Sequence, residues 1–140
     1  MNFKPIKSLI FSLLLLGNGA GYAADYQADV NPDTEYVAEA YFAALMAGDR
    51  QTLLSLLAED ELIRSENQLR DPAYSQFLTN RYSSARLEIA GSGVLGEFHT
   101  VDIIIWLNEV ESINERLILR ATESPEGTAY RIVSREELNI

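Results

Sequence analysis

Few side chains in this sequence can carry chemistry, and the first is His99, its single histidine. It falls on the apolar phase of an alternating segment, in step with Val101. An imidazole there is a candidate general base. The alternative is a strand-end histidine satisfied by a carbonyl or water. Asp102 lies on the opposite phase, so this segment alone does not pair the two, and no nucleophile-elbow motif accompanies them. The chain has no Cys, which removes disulfides, thiolate nucleophiles and thiolate metal ligands. One histidine makes no multi-histidine metal site within one chain. No catalytic residue beyond the candidate His99, no metal and no cofactor is assigned.

A second group is aromatic. Tyr74, Phe77, Arg81 and Tyr82 fall on one helical face that ends in a cation. Together with Tyr41 and His99 they are candidates to line a ligand pocket, where Arg81 would hold a carboxylate by paired hydrogen bonds. The same face also suits core packing beneath a snorkelling arginine.

A third group alternates on the other phase of the His99 segment. Phe98, Ile104 and Trp106 point away from the side that Val101, Ile103 and Ile105 occupy. Ile118 joins them, flanked by Arg116 and Arg120. An apolar stripe with a tryptophan and arginines is composed like a protein interface; a sheet covered on both faces would read the same way. The acidic pairs Asp60-Glu61 and Glu136-Glu137 lack calcium-loop spacing and read as solvated surface.

Residues 1–23 have the form of a secretory signal peptide. Lys4 and Lys7 precede the apolar run Leu9 to Leu16, and Gly21-Tyr22-Ala23 places small residues at −3 and −1 of a cut after Ala23. The run is about half of the roughly 20 residues a membrane-spanning helix needs. With no Cys for acylation, the expectation is a periplasmic or secreted soluble protein with no membrane span after cleavage. Both lysines lie in the removed stretch, so the 11 basic residues fall to nine, all arginine, against 21 acidic ones, a formal charge of −12. That charge speaks against nucleic acid and anionic membranes as partners. It favours either solubility alone or a cationic partner.

The elements that must position these groups follow from capping and period. Residues 24–32 read as a flexible lead, and residues 33–140 as one domain. Asn31-Pro32-Asp33 opens a helix whose apolar face is Val37, Ala40, Tyr41, Ala44 and Leu45. Gly48 closes it and Asp49 caps the next, buried through Leu53, Leu54, Leu56 and Leu57. Ala58 to Arg70 reads as an irregular crossing or a short helical turn. Asp71-Pro72 starts a third helix. From Ala85 the period becomes two. Leu87 and Ile89 carry a first strand, and Gly91, Gly93 and Gly96 break it into a turn. Strands follow at His99 to Leu107 and Ile113 to Thr122. A Ser124-Pro125-Glu126-Gly127 turn leads to a last strand at Tyr130 to Val133. Helices followed by strands on short turns predict an α+β fold, three N-terminal helices packed on a curved, mainly antiparallel four-stranded sheet.

Two segments resemble a known family. Tyr36 to Asp49 and Leu53 to Ala58 form an aromatic-bearing helix, a Gly-Asp junction and a leucine-rich second helix. Gly127-Thr128-Ala129-Tyr130-Arg131-Ile132-Val133 is similar to the closing strand of the same group. The chain thus resembles the nuclear-transport-factor-two-like superfamily, the cone fold of ketosteroid isomerases and polyketide cyclases, and in particular its small exported members. The resemblance implies a pocket between sheet and helices and a homodimer formed through the outer sheet face. Its motifs are signals of fold, and fold does not give function. The leading functional expectation is a non-enzymatic exported binding or protein-interaction module with a modest apolar cavity, taking a small apolar ligand or a protein partner. The alternatives are a small isomerase, cyclase or dehydratase, and an antagonist or immunity-type protein of the cell envelope.

Overall fold

The computed structural model of the protein describes residues 26–139. The expected signal peptide and its expected cut after Ala23 fall outside them. The element order is β1 (Tyr26–Ala28), α1 (Pro32–Ala47), α2 (Arg50–Leu56), α3 (Glu59–Leu69), α4 (Tyr74–Tyr82), β2 (Arg86–Leu95), β3 (Phe98–Trp106), β4 (Ser112–Ser124) and β5 (Gly127–Glu137). The strands form one sheet in the order β1-β2-β3-β4-β5, with every neighbouring pair antiparallel. The class is α+β as the periodicity predicts, with four helices rather than three and five strands rather than four among the described residues.

α1 begins as its sequence dictates. The Asn31 side chain accepts from the Asp33 and Thr34 amides, and Pro32 occupies the first turn beside Asp33 and Glu35. Gly48 ends the helix at φ +64°, where a β-carbon would also sit 2.6 Å from the Ser75 carbonyl oxygen. Only glycine satisfies both demands at the α1–α2 junction. Arg50 locks that junction to α4 and to the end of α3. Its Nε donates to Ser75 Oγ at 2.8 Å and its Nη1 to the Leu69 carbonyl at 3.0 Å.

Three local expectations are corrected. The 58–70 crossing is an eleven-residue helix, α3, whose buried residues are Glu61 and Leu69. These share a stripe with Ser65 at a spacing of four, so a mostly polar sequence still has one inward line. The lead expected to be flexible contains β1, which pairs with the end of β2. Gly91 and Gly93 do not form a turn: β2 runs on to Leu95, with a register shift between Ile89 and Gly91. Gly93 is required because a β-carbon there would lie 2.7 Å from both the Gln27 carbonyl oxygen and the Tyr26 hydroxyl. β1 can pair only across a residue without a side chain.

The helices cover one face of the sheet. Val101, Ile103 and Ile105 of β3, Leu117 and Leu119 of β4 and Ile132 of β5 are all buried there. They pack with Val37, Tyr41, Leu45, Leu53 and Leu78 in one apolar cluster. Each such side chain contributes about 1.5–3 kcal/mol by burial. The alternation of β3 therefore assigns its two faces as the sequence predicts, and among the described residues only the start of α3, at Glu59 and Asp60, reaches the groove on the opposite face. Among the described residues no helix is long and apolar enough to cross a membrane.

Candidate functional site

On the helix-covered face a small cavity of about 70 Å³ lies between the helices and the end of β5, lined by Tyr41, Tyr74, Tyr82, Glu61 and Arg135 among others. That is room for about two water molecules at roughly 30 Å³ each. The charged groups around it are bound to one another. Glu61, only 1% exposed, accepts from Arg64 Nη2 at 2.7 Å, Ser65 Oγ at 3.2 Å and Arg135 Nε at 2.8 Å. Arg135 Nη1 donates to the Tyr41 hydroxyl at 2.8 Å and, more weakly, to Glu115 at 3.4 Å.

These contacts set the protonation states. Burial pushes the Glu61 carboxyl upward, but hydrogen bonds and attraction from Arg64 and Arg135 outweigh it and hold the group below the ordinary glutamate value. Glu115 faces the same arginine from farther away, so burial wins and its carboxyl is raised. Burial likewise raises the Tyr41 hydroxyl, against the attraction of Arg135. The arrangement clamps α1 and α3 to β5.

The opposite face carries a much larger feature. A groove of about 480 Å³ is lined by Tyr26, Leu95, Phe98, Ile118 and Val133 on its apolar side and by Glu59, Asp60, Arg116, Arg120, Ser134 and Glu136 on its polar side. Strand register builds it: Tyr26 lies opposite Leu95, Leu95 opposite Phe98, Thr100 opposite Ile118, and Ile118 opposite Ser134. These positions share the sheet face that alternation turns away from the core.

Both groove arginines are already paired with carboxylates. Arg116 donates from Nε and Nη2 to the two oxygens of Asp102, at 2.7 and 3.0 Å, and its guanidinium lies 4.5 Å from the Tyr26 ring centroid. Burial acts against its charge, and the Asp102 carboxylate more than compensates, raising its pKa. Arg120 holds Glu59 with Nε at 2.6 Å and Nη2 at 3.3 Å, reaches Glu97 at 3.3 Å, and lies 4.8 Å from the Phe98 centroid. Glu59 is the one non-glycine residue with positive φ, +53°, among the described residues. An L-residue held there carries backbone strain, and this one supplies the carboxylate that pins Arg120 over the groove.

The sequence-selected residues divide between these places. Phe98, Arg116, Ile118 and Arg120 line the groove together, whereas Ile104 and Trp106 lie farther along the same face and do not line it. Trp106 Nε1 donates to Glu88 at 3.1 Å, with the Arg86 guanidinium 5.3 Å from its ring. Of the pocket candidates, Tyr41, Tyr74 and Tyr82 do line the small cavity; Phe77, Arg81 and His99 do not. Phe77 stacks on Tyr74 at 5.2 Å and is half exposed, and the Arg81 guanidinium stands over the Tyr82 ring at 5.7 Å. His99 meets the edge of Tyr130 at 5.0 Å, and its Nδ1 is buried with no hydrogen-bond partner among the described residues.

Sequence reading missed Glu61 and Arg135. Glu61, expected on solvated surface, is buried; its phase with Ser65 and Leu69 was the available signal. Tyr26 was also missed, because three polar-flanked residues carry no strand period. The chain matches no family model and no curated protein.

Proposed function

We propose that the protein is an exported, non-enzymatic interaction module of the nuclear-transport-factor-two-like kind that works through the outer face of its sheet. One observation supports this above the others. The cavity between helices and sheet is about 70 Å³, too small for an organic ligand, whereas the outer groove is about 480 Å³, within the ordinary range of binding sites. The polar groups of the inner cavity act as a structural clamp. In the groove, aromatic and aliphatic side chains stand beside arginines, the composition of interface cores.

A neutral apolar dye tests the location. Nile red emission is expected to rise on addition of the wild-type protein and to stay at background with Ile118→Glu. Tyr82→Ala, which widens the inner cavity, should not change the signal. Should Ile118→Glu fail to fold by circular dichroism, Ser134→Trp blocks the groove from a less buried position. Dye binding that survives blocking of the groove, or that follows Tyr82→Ala, overturns the reading.

A further inference from the structure

We infer that the outer groove receives a basic, apolar polypeptide segment, its lysine or arginine side chains held at the rim by Asp60 and Glu136. This rests on the groove being the interaction site and adds the chemistry of what enters it. The argument begins with which charges are already used. Arg116 is committed to Asp102 and Arg120 to Glu59 and Glu97. Asp60 and Glu136 line the same groove, and neither forms an ion pair among the described residues.

Glu136 stands directly across from Arg116 in the sheet register. Arg116 nonetheless turns its paired donors to Asp102 on the other side. The polar side of the groove therefore offers an arriving group two free carboxylates, one from α3 and one from β5, next to a floor of Phe98, Ile118 and Val133. That pairing suits a long cationic side chain, whose methylene stem lies on apolar surface while its head meets a carboxylate. An anionic ligand finds no uncommitted arginine.

The whole chain extends the same preference. With 21 acidic and 11 basic residues it carries a formal charge of −10, which attracts an extended segment with several positive charges more strongly than a singly charged small molecule. It also sets two copies of the chain against each other, so a second copy is the weaker occupant.

Two synthetic peptides of equal length, alternating leucine with lysine and leucine with glutamate, test this by fluorescence anisotropy. The lysine peptide is expected to bind, less tightly as salt rises, and the glutamate peptide not to bind. The double variant Asp60→Asn/Glu136→Gln should weaken the lysine peptide roughly tenfold through loss of two exposed pairs, while Nile red binding persists. The control Glu109→Gln/Glu126→Gln makes the same change in net charge outside the groove and should leave the peptide affinity as it was. Equal loss in the control pair, equal binding of the two peptides, or an unaffected groove variant overturns the inference. So does a wild-type dimer in sedimentation equilibrium that Ile118→Glu dissociates, which would give the groove to a second copy. Nile red bound with neither peptide bound rejects the partner class and keeps the site; no dye bound rejects both.

Discussion

The two faces of one sheet treat charge in opposite ways. On the covered face, Arg135 gathers Glu61, Tyr41 and Glu115 into a closed set that ties helices to strands. On the other face, Arg116 and Arg120 each hold carboxylates and lie against aromatic rings, yet Asp60 and Glu136 form no ion pair among the described residues. A closed set stabilises the fold and has nothing left to offer a partner. An open set stabilises little and leaves recognition groups in place. The difference lies in which face has donors or acceptors to spare, more than in where the charged residues are most numerous.

The comparison breaks most sharply at two adjacent isoleucines. Ile103 is fully buried on the covered face, and Ile104 is half buried on the other. Ile103→Ala should lower stability by about 2–5 kcal/mol, because a cavity remains where packing cannot collapse. Ile104→Ala should cost about 1 kcal/mol or less, since water can fill the space. Urea unfolding of the two variants measures both; equal losses would mean that the outer face is covered.

Two glutamates around Arg135 sharpen it further. Glu61→Gln should cost about 1–3 kcal/mol near neutral pH, the range for hydrogen bonds to a buried charged group. Because the folded state lowers the Glu61 pKa, its contribution is present above the ordinary value of 4.5 and is lost as pH falls through the folded value. Glu115 has the opposite sign. Its folded pKa is raised, so its favourable contribution is complete below 4.5 and disappears as pH climbs through the folded value. Glu115→Gln should therefore leave stability at neutral pH unchanged or slightly higher. Thermal unfolding of both variants across the acid range checks the two signs.

The smallest effect belongs to the outer face. Arg120→Met should leave the unfolding midpoint nearly where it is, because its pairs with Glu59 and Glu97 are solvent-exposed. It also relieves Glu59 of a reason to hold its positive φ, so amide exchange at the start of α3 should quicken even where the unfolding midpoint does not move.

What the sequence made legible was periodic. Strict alternation from Phe98 to Trp106 assigned both faces of β3, and the Asn31-Pro32 start and Gly48-Asp49 junction placed α1 and α2. What stayed hidden depended on distant partners. Glu61 and Arg135 are 74 positions apart, and nothing local in either segment announces the other. β1 is three residues long, too short for a period, and Gly93 looked like a turn residue because the Tyr26 ring that demands it arrives from far along the chain. The aromatic face of α4 was visible as a stripe, but its depth was not: Leu78 is buried while Phe77 remains half exposed.

The ends of the sheet have a consequence for crowded conditions. A sheet edge with free backbone donors and acceptors invites strands of other molecules to add to it. On one side β1 covers only Gly93, Val94 and Leu95 of β2, and the rest of β2 is itself an edge among the described residues, carrying Arg86 and Glu88 and a register shift between Ile89 and Gly91. The other, β5, is interrupted at its middle, where Leu57 forms a parallel bridge to Ile132 and the Ala58 amide donates to the Ile132 carbonyl at 2.9 Å. Arg131, Arg135, Glu136 and Glu137 add charge along the rest of that strand. Among the described residues each edge is therefore broken by a bulge, a bridge or charge, which disfavours lateral pairing of strands into fibrils.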